Sequence, residues 1–285
     1  KLTSSGTKGM KTQIWFDENG LRRVQSMLDV LWEQEQLTSN TPTNFVMFSY
    51  NPKHAPDLGT AFTKKNQMRF AKQHNRTHYA LDMNDKNEWE YNKHKTIRIL
   101  NEFAEEGLPV RLHGMPSFIH EIIEELRQRE EKIVLPKDSF MFTGGGWKAA
   151  EDKKVSRESF RGEVFDYLGI LPENQRDGFG MAEHSAPYIE CSHHKFHIPS
   201  YNRVIARDPR TMAEVNTGET GLLEFLSPYN EMMPNLAILS TDLGFIDPDP
   251  CTCGKNSPTF TVVGRGGLTK HKGCAISAAE LVKRR

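Results

Sequence analysis

The sequence has no net charge, no long apolar run and few cysteines, and each absence removes a class of protein. Over 285 residues Lys+Arg and Asp+Glu both number 37, which argues against a dedicated nucleic-acid binder, whose surface is normally basic. No apolar stretch is long enough to cross a bilayer, and no signal-peptide pattern opens the chain. Four cysteines are too few for a disulfide scaffold in a chain this long, so a reducing, cytoplasmic setting is the expectation. There is no internal repeat and no low-complexity tract. The chain opens on Lys1 rather than on methionine, and a natural protein that continues upstream is expected.

What is present reads as α/β. Leu21, Val24, Leu28 and Leu31 recur at helical spacing, so Asp17 to Gln36 is expected to be a helix with Asp17 as its N-cap. Asn44–Tyr50 reads as a short apolar strand, Lys93–Glu106 as a helix and Leu108–Leu112 as a strand. The turn His113-Gly114-Met115-Pro116 leads into a helix over Ser117–Arg129. Lys132–Leu135 and Ser139–Phe142 read as strands that end in Thr143-Gly144-Gly145-Gly146. Strands alternating with helices at this spacing predict a mostly parallel sheet covered by helices. Ligands of such sheets collect at the carboxyl ends of strands, where both the His113 turn and the triple glycine are expected. From about Tyr188 the texture changes to strands and turns, clearest in Gly218–Leu226. The expected division is therefore an α/β core over 1–187, a β-rich part of the same domain over 188–264, and a short C-terminal segment over 265–285.

Several stretches carry chemistry. Ser4-Ser5-Gly6-Thr7-Lys8-Gly9-Met10-Lys11 is a hydroxyl- and glycine-rich loop that ends in a lysine. Such a loop can wrap a polyphosphate, because glycine lets backbone N–H groups approach and the lysine adds charge. It differs from the G-x-x-x-x-G-K-[ST] pattern of nucleotide hydrolases, and read alone it is equally a polar turn. Gly178-Phe179-Gly180-Met181-Ala182-Glu183-His184 puts an aromatic ring, which can stack on a purine, close to a carboxylate, which can hold Mg²⁺. Ser240-Thr241-Asp242-Leu243-Gly244 sets an acid on a turn, where it can bind ribose hydroxyls, and Val263-Gly264-Arg265-Gly266-Gly267 sets an arginine between glycines, suited to a ribose or phosphate contact. Their plain alternatives are a solvated loop, an Asx-turn and a surface hairpin. Cys191, followed by His193, His194 and His197, and the C-x-C turn Cys251-Thr252-Cys253 can together supply a tetrahedral zinc site. The preferred set is Cys191, His197, Cys251 and Cys253, against the alternative of three reduced cysteines in a β-rich region.

In this order the motifs resemble those of the adenylate-forming superfamily of acyl and aryl ligases. The opening loop is similar to its Ser/Thr-Ser-Gly-Thr phosphate loop, and Phe179–Glu183 to its Tyr-Gly-x-Thr-Glu segment. Ser240–Gly244 is similar to its Thr-Gly-Asp-Leu segment, and Gly264-Arg265 to the Gly-Arg segment before its hinge. Ala182 replaces a usual hydroxyl and Ser240-Thr241 the usual Thr-Gly; adenylation is expected to survive both at a changed rate. Lys272-Gly273-Cys274-Ala275-Ile276-Ser277-Ala278-Ala279-Glu280-Leu281 resembles the end of the acyl-protein synthetase (LuxE) family, whose cysteine carries the acyl group. That family is the fatty-acid-activating component of the bioluminescence fatty acid reductase.

The resemblance implies the large domain of an adenylate-forming enzyme that uses ATP and Mg²⁺ to make acyl-AMP from a long-chain fatty acid. It then forms a thioester on Cys274 and passes the acyl group to an acyl-protein reductase subunit, with an acyl-transferase subunit as a further partner. Lys11 with Ser4, Ser5, Gly6, Thr7 and Gly9 is implied to hold the phosphates, Glu183 the Mg²⁺, Asp242 and Arg265 the ribose. Phe179, Gly180 and Gly144 to Gly146 are implied to flank adenine. Lys270, His271 and Lys272 surround Cys274 in sequence, and neighbouring cations lower a thiol pKa and raise its thiolate fraction. The rival readings are a phenylacetate-type aryl-CoA ligase and a non-catalytic, zinc-stabilised assembly subunit.

Overall fold

A computed structural model describes residues 2–3, 13–15, 17–54, 68–147, 153–181, 183–229 and 235–265. In chain order these form β1 (Leu2–Thr3), β2 (Gln13–Ile14), α1 (Glu18–Gln34), β3 (Ser39–Tyr50), β4 (Ala71–Met83) and β5 (Trp89–Tyr91). Then come α2 (Lys93–Glu106), β6 (Val110–Gly114), α3 (Pro116–Gln128), β7 (Phe140–Gly144), α4 (Arg157–Leu168) and β8 (Gln175–Phe179). The chain continues with β9 (Tyr188–Ile189), β10 (Phe196–His197), β11 (Arg203–Arg207), β12 (Gly221–Leu226), β13 (Ala237–Ile246) and β14 (Thr259–Arg265). Two compact units divide the described residues: one that is continuous among them, within Leu37–Asp177, and a split one that takes those up to Gln36 together with those from Gly178 to Arg265. The N-terminal helix thus groups with the β-rich part, whereas the sequence-based division kept it with the α/β core.

The continuous unit holds a mixed sheet in the order β5-β4-β3-β6-β7-β8. The β3–β4, β3–β6 and β6–β7 ladders are parallel and β4–β5 is antiparallel. Its helices are set by their ends. Asn92 caps α2 by accepting from the Lys95 amide at 2.8 Å, and Gly107 closes it in the left-handed region that glycine adopts at no steric cost. Ser156 caps α4 in the same way, accepting from Ser159 at 3.0 Å, and Pro116 opens α3 where no helical N–H is needed. The apolar stripes of α3 (Phe118, Ile122, Leu126) and α4 (Val164, Leu168) meet Val46 and Leu112 of the sheet in one fully buried cluster. Each such side chain contributes about 1.5–3 kcal/mol.

Two strand expectations change. The strand that begins at Asn44 by sequence starts at Ser39. Lys132–Leu135 joins no sheet among the described residues: the Ile133 and Leu135 amides donate to Tyr167 O and Leu168 O at 2.9 and 3.1 Å, so this apolar run is tied to the end of α4. Its alternating burial imitates a strand without sheet pairing.

The split unit is organised by a five-stranded antiparallel sheet, β10-β14-β13-β12-β11. Tyr188, Phe196, Phe225 and Phe260 form the aromatic centre of its core, joined by Val204 and Leu223. Asp17 caps α1 by accepting from the Gly20 amide at 2.7 Å, and α1 buries Met27, Leu31 and Trp32. β1 pairs with β2, Leu2 opposite Ile14. No helix among the described residues is long and apolar enough to cross a membrane.

Candidate functional site

In the continuous unit, β6 and β7 run side by side with His113 opposite Phe142 and Gly114 opposite Thr143. Both therefore end at the same edge, as a parallel sheet requires. A Cβ on Gly114 would stand 2.4 Å from Phe48 Cβ, so only glycine lets β6 close on β3 there. Past β7 the chain turns through Gly145 and Gly146, both with positive φ and both exposed, so Gly144 to Gly146 present open backbone at the carboxyl end of the strand. Thr143 is held below them, its hydroxyl donating to Asp177 Oδ1 at 3.0 Å.

In the split unit, Phe179 ends β8 with its ring against Tyr188, Phe196, Phe225 and Phe260 at centroid distances of 5.4–6.3 Å. Gly180 follows it and is exposed. The Glu183 carbonyl accepts from Asn235 Nδ2 at 3.1 Å, while its half-buried carboxylate has no partner among the described residues. His184 is buried. Its ring stacks on Tyr188 and its Nε2 lies 3.0 Å from the Tyr188 hydroxyl, which also accepts from Asn202 at 3.1 Å. Burial holds the His184 imidazole down at about 4, so the ring is neutral, and it pushes the Tyr188 phenol well up. His184 also lines a cavity of about 10 Å³, room for one water, with Arg23, Ser227 and Tyr229.

Asp242 and Arg265 come together. They are cross-strand partners on β13 and β14, and Arg265 Nε stands 3.3 Å from Asp242 Oδ1. Asp242 is largely buried while Arg265 is half exposed. A carboxylate and a guanidinium side by side offer an acceptor and a fork of donors to a vicinal diol. Gly244 is required by the backbone as well as by the motif: a Cβ there would meet Thr261 O at 2.2 Å. Ser4, Ser5, Gly6, Thr7, Gly9 and Lys11, and Cys274 with its flanking lysines, lie outside the described residues.

The ligating atoms of Cys191, His197, Cys251 and Cys253 all lie within 4.8 Å of one another, a group that can hold a metal ion. Cys191 Sγ is 3.7 Å from Cys251 Sγ, and His197 Nε2 is 3.1 Å from Cys253 Sγ. His193 and His194, equally eligible by sequence, point elsewhere: His193 Nδ1 meets Thr252 Oγ1 at 2.8 Å and His194 lies 3.8 Å from Glu190. Burial pushes the Cys191 thiol up to about 12 and the His197 imidazole down. Sequence reasoning missed Ser257, which meets His197 Nδ1 at 2.9 Å. Its only sequence signal is its place a few residues beyond the C-x-C turn.

A family model described as "Acyl-protein synthetase, LuxE" matches residues 1–282. A "Long-chain-fatty-acid--luciferin-component ligase" of Aliivibrio fischeri is 25% identical over 295 residues, spanning 99% of this chain and 72% of the relative. A protein of the same description from Vibrio harveyi is 24% identical over 294 residues, 98% of this chain and 71% of the relative. Among solved structures, an open 2-hydroxyisobutyryl-CoA ligase in complex with 2-HIB-AMP and CoA matches with a TM-score of 0.62 at 15% identity, over 92% of this chain and 56% of that one. ATP-bound MatB from Rhodopseudomonas palustris matches with a TM-score of 0.57 at 16% identity, over 93% of this chain and 47% of that one. The chain thus spans about half the length of these ligases, whose fold it shares.

Proposed function

The chain belongs to the acyl-protein synthetase (LuxE) family, and from that premise we propose that it activates a long-chain fatty acid with ATP and carries the product as a thioester on Cys274. In the first step a carboxylate oxygen of the fatty acid attacks the α-phosphorus of ATP. The bond from that phosphorus to the β-bridging oxygen breaks, giving acyl-AMP and pyrophosphate. In the second step the Cys274 thiolate attacks the acyl carbonyl and AMP leaves, so a carbon–sulfur bond replaces the mixed anhydride. The thioester then passes to a reductase subunit.

The single observation that carries the nucleotide part of this reading is the Asp242–Arg265 pair, set by strand register at the positions where the sequence motifs call for ribose contacts. Glu183 offers a carboxylate with no partner among the described residues, the hard oxygen donor that Mg²⁺ takes; when bound, Mg²⁺ would neutralise phosphate charge. Lys11 with Ser4, Ser5, Gly6, Thr7 and Gly9 holds the phosphates. Phe179 and Gly180, at the end of β8, flank the base. The gain in rate comes from positioning and from charge stabilisation at the phosphate. The fatty acid substrate is supported by what the two curated relatives are named for.

ATP–pyrophosphate exchange driven by fatty acids of graded length tests this. Lys11→Ala and Glu183→Gln should each depress exchange by orders of magnitude with the fold retained; unchanged exchange in both overturns adenylation. Cys274→Ser should keep exchange and lose the protein label from radioactive fatty acid, a label that neutral hydroxylamine releases from the wild type. Release of AMP that depends on CoA, with no label on the protein, would instead identify a CoA ligase.

A further inference from the structure

We propose that Cys191, His197, Cys251 and Cys253 form a closed, structural zinc site that clasps the β13–β14 loop to β10 and the turn before it. Two of the sulfurs, on Cys191 and Cys251, stand 3.7 Å apart. A disulfide needs about 2.05 Å, so these thiols are not bonded to one another. The spacing instead agrees with the edge of a tetrahedron whose corners lie about 2.3 Å from a central ion, an edge of about 3.8 Å. All four ligating atoms fall within 4.8 Å of each other, which suits one ion rather than a multi-iron cluster.

The surroundings are those of a ligand set. His197 Nδ1 is engaged by Ser257 at 2.9 Å, which leaves Nε2 turned toward Cys253 at 3.1 Å. Fixing one ring nitrogen while the other faces the centre is how metal-binding imidazoles are oriented. The amides of His193 and Lys195 hydrogen-bond to the Cys191 sulfur, and the Lys255 amide to that of Cys253. His194 and Gly254 take positive φ, 59° and 91°, and these turn the backbone around the two sulfurs. The Cys191 turn is closed by its own bonds: Cys191 N donates to Lys195 O at 3.0 Å, and His194 N to Cys191 O at 2.9 Å.

Three thiolates and one imidazole complete a tetrahedron and leave no place for a reacting water, so the site is structural rather than catalytic. Each of the three thiols yields its proton to solvent as the ion binds. The ion joins two segments distant in sequence: the turn after β9 with the β10 strand that follows it, and the loop between β13 and β14. His197 lies opposite Thr259 at the start of β14, so the clasp sits at the end of the hairpin whose strands carry Asp242 and Arg265.

Metal analysis of the full chain, purified without chelator, tests the site independently of any catalytic assay. About one zinc per chain is expected, lost in Cys251→Ser and in His197→Ala, kept in His193→Ala, and restored in His197→Cys, which offers a fourth thiolate. Because a cysteine variant can fail to fold, the wild-type chain is also exchanged with Co²⁺. Three thiolates around tetrahedral cobalt should give sulfur-to-cobalt charge transfer in the near ultraviolet and intense visible bands. Absence of zinc together with absence of that spectrum overturns the proposal. So does full zinc content in the Cys251→Ser/Cys253→Ser double variant, and so does iron accompanied by inorganic sulfide.

Discussion

The two units reach order by different routes. The continuous unit buries an extensive aliphatic and aromatic cluster between a mostly parallel sheet and three helices, two of them capped by side chains. The split unit has a smaller core, centred on Tyr188, Phe196, Phe225 and Phe260, and much of its sheet surface stays half exposed. Leu239 and Val263 even face solvent. A core of that size gains most from a cross-link, and the Cys191–His197–Cys251–Cys253 cluster lies in the small unit and not in the large one. Where burial is plentiful no clasp is needed; where sheet edges and a long loop must be held, cysteines are found.

The largest expected effect breaks this contrast directly. Removing the metal with a chelator should speed amide hydrogen exchange across β10–β14 by orders of magnitude and leave β3, β6 and β7 protected. Equal deprotection of both units would mean that they unfold as one. Next in size, Phe118→Ala removes a fully buried ring from α3 and should cost about 3–5 kcal/mol. Denaturant unfolding should give the same loss with and without chelator if the continuous unit stands by itself.

Acid offers a third probe, because each unit buries a histidine whose ring burial holds neutral. Burial holds His78 in β4 and His184 in the split unit at about 4, against an ordinary 6.5. Both are neutral when folded and take up a proton more readily when unfolded. Their contribution is therefore complete above pH 6.5 and is lost as pH falls toward 4, by about 1.4 kcal/mol per pH unit, roughly 3 kcal/mol for each histidine. His184→Gln should flatten the acid slope of β10–β14 protection, and His78→Gln that of β3–β6; a slope unchanged by both assigns the acid loss to other groups. The smallest effect is at the α1 cap. Asp17→Ala should cost about 1 kcal/mol in denaturant midpoint and should fall on the split unit, to which α1 belongs.

Much of this was legible in the residues, for reasons that differ by element. Lys93–Glu106 was found to the residue because its cap and apolar stripe agree, and Asp17 was readable as a cap in the same way. β4 was not read as a strand: six successive exposed positions from Lys72 to Thr77 erase the alternation that marks a half-buried strand. Lys132–Leu135 failed in the opposite direction, since local alternation says nothing about whether a neighbouring strand exists. The four metal-competent residues were chosen by residue type and by resemblance to phenylacetate-CoA-ligase-like proteins, which carry Cys, His and C-x-C in comparable places, and the fold brings them together, because a ligand set needs only two short turns and one ladder. The Asp242–Arg265 contact was out of reach. It depends on the β13–β14 register, which shifts at a bulge between Leu243 and Gly244 that no turn motif announces.

One unit is interrupted in sequence by the other, and this has a consequence for how the chain is made. Helix α1 leaves the ribosome before the continuous unit, with Met27, Leu31 and Trp32 aligned for burial, but its partner β9 and the five-stranded sheet of its unit lie beyond Asp177. At bacterial or eukaryotic elongation rates the intervening Leu37–Asp177 takes roughly 7–30 s to synthesise. During that time the continuous unit can fold, while an amphipathic helix waits with its apolar face uncovered. Nascent-chain folding should therefore show two separated events, the second arriving only after β14 has emerged.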